Sequence, residues 1–273
     1  MTDGEDVHMQ IRWLGWAGVE LEAQGESLVI DLLGRPEGVL EGTSLSGVPL
    51  PKVVAPHAEG HVLAGLCTHL HRDHTDAGAL ARALRPGGTV LHPESFGGDD
   101  HENLWTLKAE AELAAHDLPR RPMGLWETTT IGPFTIAAVP AVDTLGDPQV
   151  SWAIEADGTR VIHLGDTMFH GYWWRAAHRY GPFDAVLTPI NGPTVCFPHC
   201  QPPSPYPSAL DARHAAVAAR LLQARTAIPM HYDGFHADGF YTTQPEELAR
   251  FLEAADGEPY EVLTPGLDEE LAL

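Results

Sequence analysis

The run Cys67-Thr68-His69-Leu70-His71-Arg72-Asp73-His74-Thr75-Asp76 places three histidines and an aspartate within six residues. It follows the apolar run 62–66 and precedes the helix-like run 76–84. In an extended segment, residues two apart project to the same side. His69 and His71 can therefore share one metal, while the turn of the chain aims Asp73 and His74 elsewhere. Imidazoles and carboxylates are ordinary ligands for divalent cations, and open metal sites on α/β scaffolds are built where a strand ends and a helix follows. The spacing suits two adjacent cations. Because sixteen histidines in an Ala-rich, acidic chain also cluster by chance in solvated loops, the reading needs support from the rest of the chain.

The pattern His-x-His-x-Asp-His resembles the signature of the metallo-β-lactamase superfamily, and the likeness extends from about Gln10 to the last helix. It is nearest to the branch of L-ascorbate-6-phosphate lactonases and N-acyl-phosphatidylethanolamine phospholipase D. Three further features match: Asp31, Asp166 in Leu164-Gly165-Asp166-Thr167, and His231 in Ile228-Pro229-Met230-His231. The resemblance implies that His69 and His71 hold a first metal, that Asp73, His74 and His231 hold a second, and that Asp166 bridges them. A carboxylate can bridge because its two oxygens carry lone pairs on both sides. Asp73 is also the residue expected to take a catalytic part.

Two positions depart from the family pattern. Trp16 stands where a histidine is usual in the first turn, and Val139-Pro140-Ala141-Val142-Asp143 ends in an aspartate where the branch has histidine. Asp143 as a ligand would add negative charge to the first site and favour hard cations in five or six coordination. Being shorter than histidine, it has a rival reading in which the first site is weak or is filled by a neighbouring group. The implied cofactors are two divalent ions, Zn or Mn first and Fe as an alternative. For substrate contacts the sequence offers Trp16, His170, Trp173 and His199, although each of the tryptophans also reads as a core residue. Cys196, His199 and Cys200 resemble a ligand cluster, yet their Pro-rich surroundings favour a structural loop. His57, His61, His163 and His178 read as packed or surface histidines.

These residues must be positioned by elements that the pattern also predicts. Residues 10–14, 19–23 and 27–32 read as a strand meander, with 34–60 as an inserted loop. Strands follow at 62–68, 89–92, 124–130, 134–139, 151–155, 160–164, 185–188 and 227–230, with Asp157-Gly158 as a hairpin turn. Helices are expected over 76–84, 102–116, 172–178, 209–224 and 245–255. Residues 191–208, with six prolines, cannot be regular structure. Strands and helices come in two similar sets, as expected for the α/β class and for the αββα sandwich that the resemblance implies. The expected organisation is a flexible tail over 1–9 and one domain over 10–273, with loop insertions near 34–60 and 191–208.

At 273 residues and 44% hydrophobic content the chain can build one large core. Its net charge of -22 repels nucleic acid and anionic membrane surfaces, which disfavours the nucleic-acid-cleaving branches. Neither a signal-like nor a membrane-spanning apolar run is present, and three cysteines give no disulfide framework. A cytoplasmic protein with a small-molecule substrate is expected. A metal pair would lower the pKa of a bridging water toward about 7. The first functional expectation is therefore hydrolysis of a small soluble ester, lactone or phosphodiester. The alternatives are an iron-dependent oxidoreductase on the same fold, or a catalytically weakened metal-binding protein.

Overall fold

The computed structural model describes residues 9–43, 45–95, 104–198 and 200–273. Its first half holds β1 (Gln10–Gly15), β2 (Gly18–Ala23), β3 (Glu26–Ile30), α1 (Pro36–Val39), β4 (Val62–Leu66), α2 (Ala77–Ala83), β5 (Leu84–Pro93), α3 (Leu104–Ala115) and β6 (Arg120–Met123). The second half holds β7 (Thr128–Ile131), β8 (Phe134–Pro140), β9 (Val150–Ala156), β10 (Thr159–His163), α4 (Trp173–Tyr180), β11 (Ala185–Pro189), β12 (Thr194–Val195) and α5 (Ala212–Leu221). It closes with β13 (Thr226–Met230), β14 (Tyr241–Thr242), α6 (Glu247–Ala254), β15 (Glu261–Val262) and β16 (Glu270–Ala272).

Two seven-stranded sheets form among the described residues, ordered β16-β1-β2-β3-β4-β5-β6 and β15-β13-β11-β10-β9-β8-β7. In each, an antiparallel meander passes into parallel strands: β1 to β3 into β4, β5 and β6, and β7 to β10 into β11, β13 and β15. Most central strands are buried on both faces, and side-chain alternation divides their residues between two cores. In β9, Trp152 and Ile154 point between the sheets with Leu21, Leu28 and Leu66, whereas Ala153 faces the helices. The helices cover the outer faces. Leu80 of α2 and Leu113 of α3 pack on Val29, Val62 and Val90, while Trp173 of α4, Ala215 of α5 and Phe251 of α6 pack with Ile162 and Val186. This is the αββα sandwich that the resemblance implied, in a single α/β domain.

Local signals hold where they have a mechanism. Asp76 caps α2 by accepting from the Ala79 N–H at 2.8 Å. Asp157 and Gly158 both adopt positive φ, 52° and 80°, as a two-residue hairpin turn needs. Three expectations are corrected. The strand expected over 124–130 is extended only from Thr128, in β7, because 124–127 form the turn that leads into it, and the unexpected β6 precedes that turn on the edge of the other sheet; β6 carries Pro122, which an edge strand tolerates, and two arginines that mask any apolar signal. Residues 191–208 do contain regular structure, since Thr194 and Val195 pair with Thr242 and Tyr241. Residues 34–60 include the short helix α1. Of the expected tail, residues 1–8 lie outside the described residues, as do 102 and 103 of the helix expected there. No helix among the described residues is long and apolar enough to cross a membrane.

The 34–60 loop is pinned to the sheet by a buried charge. Glu20 of β2 forms an ion pair with Arg12 of β1, both side chains no more than 5% exposed, and its carboxylate accepts the His57 and Ala58 N–H groups at 2.9 and 3.0 Å. Removing one partner of a buried pair strands the other. Glu20→Ala is therefore expected to cost about 3 kcal/mol of unfolding free energy, read by urea denaturation. A loss below about 1 kcal/mol, the range of exposed pairs, would mean that the pair is solvated in solution.

Candidate metal centre

The chemistry-bearing residues gather where strands of both sheets end. Asp31 follows β3, His69 to His74 follow β4, Asp143 and Asp147 follow β8, Asp166 follows β10, Asn191 follows β11 and His231 follows β13. These are carboxyl ends of strands, where open α/β sheets bind ligands. Three of the turning residues carry positive φ without being glycine: Trp16 at 53°, Asp31 at 47° and His231 at 58°. Such conformations cost on the order of 1–3 kcal/mol each and persist only where the surroundings over-determine them. Gly165, at φ 68°, precedes Asp166; a Cβ there would lie 2.9 Å from the Thr68 side chain, so the two strand ends approach through a missing side chain.

Buried acceptors fix the histidine tautomers. Asp31 is fully buried; its Oδ1 accepts the Thr68 N–H and its Oδ2 the Thr68 hydroxyl, both at 2.7 Å. With that proton committed, Thr68 Oγ1 accepts from His69 Nδ1 at 3.1 Å. Asp31 Oδ2 also accepts from His74 Nδ1 at 2.7 Å, and Asn191 Oδ1 accepts from His231 Nδ1 at 3.1 Å. In its neutral form each of the three rings thereby keeps its lone pair on Nε2, the tautomer a ligand needs.

Those Nε2 atoms converge with carboxylates. His69, His71 and Asp166 form one group, Asp73, His74 and His231 a second, and His71, Asp143 and Asp147 a third, each with its ligand atoms within 4.8 Å of one another. Asp166 faces both sides: its Oδ1 is 3.6 Å from His69 Nε2 and its Oδ2 is 3.9 Å from His74 Nε2. Asp73 Oδ2 is 3.4 Å from His74 Nε2 and 3.6 Å from His231 Nε2, and it accepts the Trp16 indole N–H at 3.0 Å.

The residues fit divalent cations on two grounds. First, His69 Nε2 is buried and without a hydrogen-bond partner, a costly state unless an electrophile takes the lone pair. His74 and His231 likewise bring two Nε2 atoms 3.2 Å apart although each Nδ1 already holds a proton. Second, the electrostatics call for positive charge. Burial, reinforced by Asp166 and Asp147, pushes the Asp143 carboxyl up to about 6 against the pull of His71. Although burial opposes it, the Asp147 hydrogen bond and the other carboxylates raise His71 to about 9, and Asp73 and Asp31 raise His74 well above the ordinary imidazole value. Burial and the neighbouring His74 and His71 hold His69 well below that value. Carboxylates crowded in this way stay ionised most readily around bound cations.

A family model described as the beta-lactamase superfamily domain matches residues 47–232. The chain belongs to the metallo-β-lactamase superfamily. It is 28% identical, over 89% of its length and 99% of the relative's, to a UPF0173 metal-dependent hydrolase of Thermococcus kodakarensis. Among solved structures it resembles a possible metal-dependent hydrolase from Veillonella parvula, with a TM-score of 0.71, 17% identity and coverage of 97% and 100% of the two chains. It also resembles CmlA, a diiron beta-hydroxylase from Streptomyces venezuelae, with a TM-score of 0.71 and 13% identity, covering 98% of this chain and 54% of that one. At such identities the structural likenesses speak for the fold.

Within this superfamily fold, the seven residues expected to hold metal lie in the three groups above. Asp143 sits beside His71 and Asp147, and its Oδ2 also accepts the Leu145 and Asp147 N–H groups at 2.6 and 3.1 Å, so it closes its own turn as well as facing the site. The substrate-contact expectations fare differently. Trp16 is buried beneath the second group, its ring 3.9 Å from that of His231, and holds Asp73 instead of lining the cavity. Trp173 belongs to the core under α4, with His170 stacked on it at 3.8 Å, and neither lines the cavity. His199 lies outside the described residues.

Sequence reasoning missed Asp147, whose Oδ2 meets His71 Nε2 at 2.9 Å, and the supports Asn191 and Gln149, the latter donating to Asp166 at 2.7 Å. It also missed Tyr241, in the small strand β14. The Asp-x-x-x-Asp spacing ending in Gly146-Asp147 was the available signal for the first; the others carry none. Supports of metal-ligating histidines are worth about 10- to 100-fold in metal affinity. Asp31→Asn, which weakens the acceptor for His74 and Thr68, is expected to lower divalent-cation affinity by that factor in competition with a chromophoric chelator while circular dichroism stays unchanged. Unaltered affinity would remove Asp31 from the ligand-orienting role.

Proposed function

We propose that the chain is a metal-dependent hydrolase of a small soluble ester, lactone or phosphodiester. The observation that carries this reading is the convergence of the three tautomer-fixed Nε2 atoms of His69, His74 and His231 with His71, Asp73, Asp143 and Asp166, of which the last four line an open cavity of about 450 Å³. His69, His71 and Asp166, supplemented by Asp143, would hold one divalent cation, and Asp73, His74, His231 and Asp166 a second. Zn or Mn fits this donor set first, and Fe next, given the carboxylates. When bound, the pair supplies Lewis-acid polarisation of the scissile group and a lowered pKa for water.

The chain's own residues do the rest. Asp73, held by the Trp16 indole, lines the cavity as a hydrogen-bond acceptor that orients the attacking water. Tyr241 lines the same cavity, and its phenol oxygen accepts from Asn191 Nδ2 at 3.0 Å, leaving its own proton to donate. Burial, with Asp73 and Asp166 nearby, raises this phenol well above its ordinary value, so it stays a donor at neutral pH. Its natural acceptor is the oxygen on which negative charge develops as water adds.

Elemental analysis of protein purified without added metal, with the same measurement on Asp143→Ala, tests the ligand set. Two metals per chain, falling in the variant, is the expected outcome; a count unchanged by the substitution would take Asp143 out of it. Turnover of ester, lactone or phosphodiester panels that is abolished by chelator and restored by Zn or Mn supports the hydrolase. Iron content with substrate-dependent oxygen uptake would replace it by a redox enzyme. Tyr241→Phe is expected to lower kcat about 100-fold with KM and metal content little changed. A KM effect alone would make Tyr241 a binding residue.

A further inference from the structure

The cavity above the metal centre has two unlike ends. Its floor is His71, Asp73, Asp143 and Asp166, whereas its upper wall is apolar: Val39, Leu40 and Leu45 from one loop, Val195 and Phe197 from another, and Phe240 beside β14. Phe197 and Phe240 contact each other at 4.9 Å between ring centroids, which gives the wall a continuous aromatic surface. Positive charge is scarce there. Arg72 is the only lysine or arginine among the described lining residues, and its Nη1 already donates to the Glu41 carbonyl at 2.6 Å; His236 is paired with Asp238 at 3.0 Å.

Resting on the hydrolase reading, we infer that this wall is a subsite for an uncharged, medium-length hydrocarbon portion of the substrate, and that the substrate is a neutral ester or lactone of an apolar acyl group. An apolar wall gains from every methylene it takes out of water and offers an anion nothing in return for its hydration. A volume of about 450 Å³ falls toward the small end of ligand pockets, so it holds a medium-length chain or one ring and not a lipid tail pair. A phosphodiester with polar ester groups would leave most of the wall unused. In the reaction, water oxygen adds to the acyl carbon and the acyl C–O bond breaks. The alcohol and the carboxylic acid take up the protons of water.

The test uses metal-loaded protein and p-nitrophenyl acetate, butyrate, hexanoate and octanoate. The expected result is a rise in kcat/KM of about 15-fold for every two methylenes until the cavity is full, since each buried methylene is worth about fourfold. The monoester of adipic acid, of hexanoate length but ending in a carboxylate, is expected to be at least 100-fold poorer than hexanoate. Phe240→Ser should cut the hexanoate-to-acetate ratio at least tenfold. Equal kcat/KM along the series, or preference for the adipate monoester, would overturn the subsite while leaving a hydrolase in place. Titration calorimetry with hexanamide and acetamide separates the two readings. Tighter hexanamide binding in a protein inactive on every ester and lactone would sink the hydrolase and keep the apolar subsite; equal affinities would sink the subsite whatever the turnover.

Discussion

The buried carboxylate of Asp31 is the constraint on which the site depends. A fully buried charge is tolerable only if it is closely paired and hydrogen-bonded, and Asp31 meets that condition with the Thr68 amide, the Thr68 hydroxyl and His74. Each of these contacts does something at a distance. The amide ties the end of β3 to the chain leaving β4, the hydroxyl is turned so that its oxygen receives His69, and the bond to His74 selects its tautomer. One acceptor below the site thus determines which nitrogen each of two imidazoles presents above it. The positive φ of Asp31 belongs to the same arrangement, since the chain must turn sharply to bring the carboxylate under the loop.

The two sheets matter because neither carries a complete ligand set. His69, His71, Asp73 and His74 come from the first half of the chain; Asp143, Asp166 and His231 come from the second. Packing of Leu21, Leu28 and Leu66 against Trp152 and Ile154 holds the two sets in register, and burying each such side chain contributes about 1.5–3 kcal/mol. That apolar contact is what offsets the crowding of like charges at the rim. Gly165 shows how closely the halves approach, because a methyl group at that position would meet the side chain of Thr68.

Much of this was legible in the sequence where a local signal has a local cause. The Asp76 cap, the Asp157-Gly158 turn and the strands before Asp166 and His231 follow from periodicity and turn chemistry, the ligand run from its spacing, and the link of Asp31, Asp166 and His231 to that run from the resemblance to the family. What could not be read depends on tertiary approach. Asp147 becomes relevant only because its turn folds back onto His71, and Asn191 and Tyr241, fifty residues apart, meet only through the fold. Trp16 and Trp173 were ambiguous for the complementary reason. A large aromatic near a motif looks the same in sequence whether it lines a cavity or supports a ligand from behind, and burial alone separates the two.

The net charge of -22 suits a site that attracts cations but is at first sight a poor setting for an anionic nucleophile; charge at the surface and charge at the site, however, act over different ranges. Exposed charges are screened beyond about 8 Å at physiological ionic strength, whereas buried carboxylates beside a cation feel it almost directly. The acidic field therefore favours arrival of divalent cations and leaves the local balance to the ligand set. The same balance bears on release. Under the proposed ester reading the substrate would enter without electrostatic opposition, whereas its acid product would be an anion facing both the bound cations, which attract it, and the Asp143 and Asp147 carboxylates, which oppose it. Under the same reading the apolar wall would hold the hydrocarbon part of the product while the floor, with cations and carboxylates side by side, would balance attraction of the new carboxylate against repulsion, and the length of the chain would tip that balance. Longer acyl groups would then gain in binding and lose in release, so the length that fills the cavity would set the point beyond which further methylenes cease to help turnover.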